Sequence, residues 1–151
     1  MTTMKKETEG RVAAPECAKR VFICSPFRGL GFTEEEAKKN FFENLRIAKL
    51  ACRYATLHGA VPYAPHLYFP RFLMDQDEAE REKGMLMGQS WLAQCSELWV
   101  IGHQISEGME KEIRQAEKWD IPIRHYIPRF SPEEHLLKAI FGDEFPYIEM
   151  V

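Results

Sequence analysis

The chain has no clustered cysteines. Its four cysteines, Cys17, Cys24, Cys52 and Cys95, are scattered over 151 residues, and none stands in a C-x-x-C. That excludes a disulfide framework and the common zinc spacings. Three of them fall in apolar segments, where a free thiol behaves as a small hydrophobe. No apolar run approaches the roughly 18 residues that cross a bilayer. The opening stretch "MTTMKKETEGRVAAPECAKR" has no apolar core of the kind a secretory signal needs. A reduced, cytoplasmic protein that does not touch membranes is expected. Positive charge is not in excess either: 20 Lys and Arg against 23 Asp and Glu give a formal net charge of −3. That speaks against duplex nucleic acid as a partner.

Several site motifs are also missing. The P-loop spacing G-x-x-x-x-G-K-[ST] is absent, and no G-x-G-x-x-G follows a strand. The five histidines have no metal spacing, with His66 and His103 far apart. No Ser-His-Asp or Cys-His arrangement has supporting context. Neither a metal nor a cofactor is expected.

What is present suits one domain with a sizeable core, since 45% of the residues are hydrophobic. Residues 1 to 18 are polar and aperiodic and read as a mobile tail; residues 19 to 151 form the domain. "KRVFICS" is a short β-branched and aromatic run ending at Ser25-Pro26, hence a buried strand. Thr33 before Glu34, Glu35 and Glu36 starts a helix, with a hydroxyl cap and acids at the positive end of the dipole. It runs to about His58, with Gly59 as its stop and Phe41, Leu45, Ala48, Cys52 and Ala55 as its apolar stripe. "AVPYAP" is a second strand, and "HLYFPRFLMDQD" reads as irregular. Helix from about Glu78 to Gln94, strand at "SELWVIG", helix from Ser106 to about Trp119 and strand at "IPIRHYI" follow. "SPEEHLLKAIF", with Ser as cap and Pro at the first helical position, is a last helix.

Strands and helices alternate, and the strands are apolar runs. This is the pattern of a parallel sheet covered on both faces. Such sheets bind ligands beyond the carboxyl ends of their strands, where the strand order switches. Three loops belong there: "SPFRGLGF", "APHLYFP" and "GHQISEGM".

The segment "SEGMEKE" carries the sharpest signal. With Met109 as reference, Ile113 and Ala116 fall within roughly 40° around the helix, and Glu112 roughly 60° away, on the shoulder of the buried face. A carboxylate there is costly unless hydrogen-bonded or in use. Gly108 removes bulk near the helix start. The free N–H groups and the Ser106 hydroxyl suit an anion or a sugar hydroxyl. The same spacing is also met by a plain helix cap and a solvated Glu. In "CSPFRG", Pro26 and Gly29 shape a turn and Arg28 offers five donors suited to phosphate or carboxylate. In "APHLYFPRF", His66, Tyr68 and Phe69 offer rings that stack on a base or pack in the core. The charges from Asp75 to Lys83 read as a solvated helix start.

The ordered motifs "ICSPFRG", "GAVPYAPH", "WLAQCSELWVIG" and "SEGMEKE" followed by "AEKWDIP" resemble the nucleoside 2-deoxyribosyltransferase-like superfamily, including its deoxynucleoside 5′-monophosphate N-glycosidases. The resemblance covers about residues 20 to 125 and is nearest to a bacterial and phage branch. It implies a flavodoxin- or Rossmann-like three-layer α/β sandwich with a mainly parallel sheet. It implies cleavage of the N-glycosidic bond of a (deoxy)nucleotide or nucleoside, by hydrolysis or base transfer, with Glu112 as nucleophile. Ser106, where nucleoside transferases tend to carry Asp, together with Gly108, Met109, Arg28 and Gly29, would hold the phosphate or 5′ end. Ser25, Phe27, His66 and Tyr68 would line base and sugar. Members assemble as homodimers or higher oligomers, and Tyr68 to Phe72 and the tail "FPYIEMV" are candidate contacts. One position departs from the pattern: the superfamily's sugar-orienting Asp falls near Gly88, whose neighbours carry no carboxylate. Asp75, Asp77, Glu80 or Glu82 are the nearest replacements. The departure leaves non-catalytic binding or sensing of a nucleotide-derived ligand as the alternative.

Overall fold

The structure is a computed structural model that describes residues 18–27, 31–130 and 148–150. Arg28 and Gly29, the N-terminal tail with Cys17, and the helix expected at 131–141 lie outside the described residues. Four parallel strands form the sheet: β1 (Arg20–Cys24), β2 (Val61–Tyr63), β3 (Glu97–Ile101) and β4 (Ile123–Tyr126), in the order β2-β1-β3-β4. Three longer helices connect them: α1 (Glu34–Leu57), α3 (Glu78–Leu92) and α4 (Glu107–Lys118). The arrangement is a three-layer α/β sandwich with the strand order of flavodoxin-like folds.

Local chemistry sets the element ends. The Thr33 side chain accepts the Glu36 N–H at 3.1 Å, and three glutamates fill the first turn of α1. The helix stops at His58, and Gly59 adopts φ 81°, a left-handed conformation that glycine takes without strain. Asp77 caps α3 by accepting the Glu80 N–H at 3.1 Å. "HLYFPRFLMDQD", expected to be irregular, contains the single-turn α2 (Pro65–Tyr68) and a 3₁₀ turn at Phe69–Arg71. Phe69 turns inward there and is buried against Tyr63, which holds the backbone in turns that the two prolines start. Pro128–Phe130 and Ile148–Met150 form a separate antiparallel pair, β5 and β6. The "FPYIEMV" segment thus pairs within the chain over residues 148–150.

The core has two layers. Val21 and Ile23 of β1 and Trp99 and Ile101 of β3 point to one face and pack with Ala51 and Ala55 of α1. Phe22 and Cys24, with Leu98 and Val100, point to the other face and pack with Leu92 of α3 and Met109 and Ala116 of α4. Every residue of β3 is buried, as a central parallel strand requires. Glu97, 5% exposed, begins β3 and is fully engaged. Its carboxylate accepts from Trp99 Nε1 at 2.9 Å and from Lys19 Nζ at 2.9 Å, and Arg124 Nε lies 3.2 Å away.

The topology places a crevice. From β1 the chain crosses to β2 on one side, and α3 then returns it to β3 on the other. β1 and β3 are neighbours up to Cys24↔Val100, so the loops that leave them part beyond that pair. No described helix is long and apolar enough to cross a membrane.

Candidate functional site

Between the parting loops and the first turns of α3 and α4 lies a cavity of about 390 Å³. That volume is within the range of small-molecule sites. Its floor is apolar, with Phe22, Leu92 and Met109 nearly without solvent exposure. Phe27, His66, Ser106, Gly108, Met109 and Glu112, six of the residues singled out from sequence, line it together.

Glu112 follows Met109 by one turn of α4 and is half-buried as a residue, yet its Oε2 is shut off from solvent and has no hydrogen-bond partner. Burial pushes its pKa up to about 7; the Cys24 thiol, which donates to the carboxylate, pulls the other way. The Cys24 thiol is itself driven upward, first by burial and then by the Glu112 charge, so it stays protonated. It also lies 3.7 Å from the Met109 carbonyl oxygen. Glu112 is therefore a desolvated carboxyl divided between its two protonation states near neutrality.

The start of α4 forms the adjoining wall. The Ser106 side chain accepts the Met109 N–H at 3.2 Å, and the Ser106 N–H lies 3.5 Å from the Met109 sulfur. The amides of Glu107 and Gly108 belong to the first turn, where N–H groups lack intrahelical acceptors. A Cβ built on Gly108 would meet nothing within 4 Å, so the backbone there faces open space.

Phe27 and His66 form a stacked pair, with ring centroids 4.8 Å apart and planes 13° from parallel. Burial lowers the His66 pKa to about 4, opposed by its bond to the Ser25 backbone and by Asp75. The imidazole is neutral at physiological pH and presents a flat apolar face. Two expected lining residues stand apart from the cavity. Ser25 is wholly buried behind the wall, its Oγ without a partner. Tyr68 is 55% exposed and packs edge-on against Phe72, because Phe69 takes the inward position in that turn.

Sequence reasoning missed one wall. Along α3, Glu80, Arg81, Gly84, Met85, Gly88, Gln89 and Leu92 face the cavity, together with Asp75 and Lys111 from neighbouring segments. Only part of the Asp75–Lys83 charge run is solvated: Glu78, Glu82 and Lys83 are exposed, whereas Glu80 and Arg81 are half-buried cavity wall. From Arg81 to Leu92 the lining residues of α3 fall at i, i+3, i+4, i+7, i+8 and i+11, one face of a helix, but their mixed chemistry leaves that face unmarked in the sequence. Of the four acids near the Gly88 position, Asp75 and Glu80 reach the cavity, and Asp77 is spent as the α3 cap. Among the described residues no group of three or more His, Cys, Asp or Glu could hold a metal ion.

A solved structure of a 2-deoxyribosyltransferase from the psychrotolerant bacterium Bacillus psychrosaccharolyticus is similar at 14% identity, covering 72% of each chain with a TM-score of 0.45. No curated protein matches the sequence. A family model matches residues 19–126, which span the whole four-stranded sheet and the cavity it carries; the chain belongs to the family described as Domain of unknown function (DUF7768).

Proposed function

We propose that the protein cleaves the N-glycosidic bond of a (deoxy)nucleotide or nucleoside, with Glu112 as the attacking carboxylate. The observation that carries this reading is the unpartnered, solvent-excluded Oε2 of Glu112 in the wall of a nucleoside-sized cavity. A Glu oxygen attacks the anomeric carbon of the sugar, the carbon–nitrogen bond breaks, and its electron pair leaves with the base, which takes up a proton. The sugar is then held as an ester of Glu112 until water or a second base displaces the carboxylate. Desolvation suits the step: a dry carboxylate is a stronger nucleophile, and its charge disappears in the ester. In this reading the flat Phe27–His66 pair borders the base, and Ser106 with the Gly108 backbone takes the 5′ end.

The test is incubation with deoxynucleosides and their 5′-monophosphates, with chromatography for free base. Glu112→Ala and Glu112→Gln should both lose base release by a factor of a thousand or more. A second base in the mixture separates transfer from hydrolysis. Retained turnover in either variant removes Glu112 from the chemistry.

A second reading, binding or sensing without turnover, is favoured by Gly88. This residue lines the cavity, the resemblance puts the orienting acid near it in the sequence, and a Cβ there meets nothing within 4 Å. Tight binding with the ligand recovered intact would select it. We also propose a homodimer or higher assembly. Tyr68, Phe72 and Met74, all more than half exposed beside the cavity segment, are the surface for it. Light scattering that shows only monomer would refute the assembly.

A further inference from the structure

Six of the α3 residues that line the cavity, Arg81 to Leu92, run along one side of the helix from its open to its buried end. Leu92 is in the core, Gly88 is buried, and Arg81 stands in the first turn, half-buried. Seven residues at 1.5 Å each put Arg81 about 10 Å along the axis from Gly88. Gly84 and Gly88, beside Met85 and Gln89, thin that stretch: a Cβ on Gly88 would meet nothing within 4 Å, whereas one on Gly84 would meet Leu73 at 3.3 Å. The Arg81 guanidinium thus heads a strip of helix opened at Gly88, long enough for an extended ligand to lie along.

The guanidinium has no ion pair and no side-chain hydrogen bond among the described residues, although Asp75 and Glu80 line the same cavity. The nearer acid in sequence, Glu80, turns back toward the Met74 N–H at 3.5 Å. A half-buried cation that makes no direct ion pair keeps its donors free for an anion, and Arg offers them as a planar fork that matches phosphate oxygens. Two further features favour an anion at this rim. α3 and α4, 15 and 12 residues long, both begin there, with their first-turn residues Arg81 and Gly108 in the wall. Their N-terminal dipoles add positive potential and Lys111 a second cation, set against the acids Asp75, Glu80, Glu107 and Glu112 of the same lining, so a phosphate is held where Arg81 reaches it.

We propose that Arg81 is a specificity residue that grips the phosphate of the ligand, so that the cavity prefers a phosphorylated nucleoside over the nucleoside itself. The nucleoside part of this inference rests on the glycosidic-bond reading; the phosphate part rests on Arg81.

The test is titration calorimetry with the common deoxynucleoside 5′-monophosphates, the matching deoxynucleosides and inorganic phosphate. Wild type and Glu112→Gln, which would bind without turnover, are compared with the same proteins carrying Arg81→Gln or Arg81→Lys. Loss of a charge-assisted contact predicts that Arg81→Gln lowers nucleotide affinity about 10- to 100-fold. Nucleoside affinity stays unchanged, which also shows that the variant is folded, and Arg81→Lys keeps part of the preference. Equal losses for nucleotide and nucleoside, or an unchanged ratio of the two, overturn the proposal, as does absence of nucleotide binding by the parent proteins. Inorganic phosphate that binds as tightly as the nucleotide overturns the nucleoside part alone. An Arg81-dependent nucleotide preference without base release by wild type sinks the glycosidase reading and leaves the role of Arg81 standing.

Discussion

Replacing Glu112 by Gln tests the buried acid without any substrate. Burial raises the carboxyl from its ordinary 4.5 to about 7, against a smaller downward pull from Cys24. The folded chain therefore holds this proton more tightly than the unfolded chain does. Below about 4.5 both states are protonated and stability is full; it falls as pH rises between 4.5 and 7, and above about 7 the loss is constant. A displacement of that size, at about 1.4 kcal/mol per pH unit, amounts to about 3 kcal/mol. Gln has nearly the same shape and does not ionise. Glu112→Gln should match wild type near pH 4.5 and exceed it by about 3 kcal/mol near pH 8, which for a chain of this length is a rise in Tm of about 6–12 °C. The assay is denaturant unfolding of both proteins at about five values from about pH 4.5 to about pH 9. Taking the difference removes the titrations of His66 and Glu97, which the two proteins share. A difference that stays flat with pH, or a variant weaker than wild type at pH 8, would show that the carboxylate is solvated and would refute the argument.

Three further outcomes follow from the same geometry. Cys24→Ala removes the thiol whose bond favours ionised Glu112, so the carboxyl pKa should climb further and the wild-type decline in stability should move to higher pH; an unmoved decline in the same unfolding series would sink the contact. Gly108→Val adds bulk where a Cβ meets nothing within 4 Å, so the fold should keep its stability to about 1 kcal/mol while nucleotide affinity drops tenfold or more. Melting curves and calorimetry read the two effects separately, and undiminished affinity would put the ligand elsewhere. Burial alone would raise the Glu97 pKa, but Trp99, Lys19 and Arg124 together hold it below 4.5, so its contribution is present above that pH and is lost as pH falls. Glu97→Leu should cost about 1–3 kcal/mol at pH 7, chiefly by leaving the Trp99 N–H without an acceptor. It should also flatten the acid limb of an unfolding series from pH 7 to pH 3, and an unaltered limb would contradict the network.

The sheet and its caps were legible because their signals are local. Thr33, Asp77 and Ser106 each accept an N–H from the first turn that follows, and the apolar runs became strands with both faces covered. The acid was legible for a related reason: α4 has a strongly one-sided pattern, so Met109 and Ala116 fix the buried face and Glu112 falls beside it. The α3 wall was not legible. Met85, Leu86, Met87 and Trp91 are all more than a third exposed, so the first half of this helix is charged, the second half is apolar on several sides, and no stripe declares an inner face. What marks its inner side is small or charged: Gly84, Gly88 and Arg81. Tyr68 and Phe69 were equally ambiguous, since adjacent rings in a turn point opposite ways and only packing against Tyr63 decides which turns inward. The β5–β6 pair joins segments far apart in sequence, and short runs such as "PRF" carry no period that could announce it.

One topological fact accounts for both the opening of the cavity and the dryness of its acid. Strands β1 and β3 lie side by side, yet their outgoing loops lead to opposite parts of the fold, so the space above Cys24 and Val100 is vacated by backbone. α4 starts from that gap and is pinned to the sheet by Met109 and Ala116, each almost without exposure. Glu112 stands one turn from either anchor. Glu112 lines the cavity, but its Oε2 is shut off from solvent while α4 lies on the sheet, and lifting α4 to wet that oxygen would uncover both anchors. Burying a Met side chain contributes about 1.5–3 kcal/mol, comparable with the cost of about 3 kcal/mol for keeping Glu112 ionised at neutral pH. The anchors and the acid are therefore closely matched, and the same helix that makes the carboxylate reactive is the element its charge would loosen. Neutralising the acid, as formation of a sugar ester does, removes that opposition, so the covalent intermediate should be the state in which α4 is held most firmly.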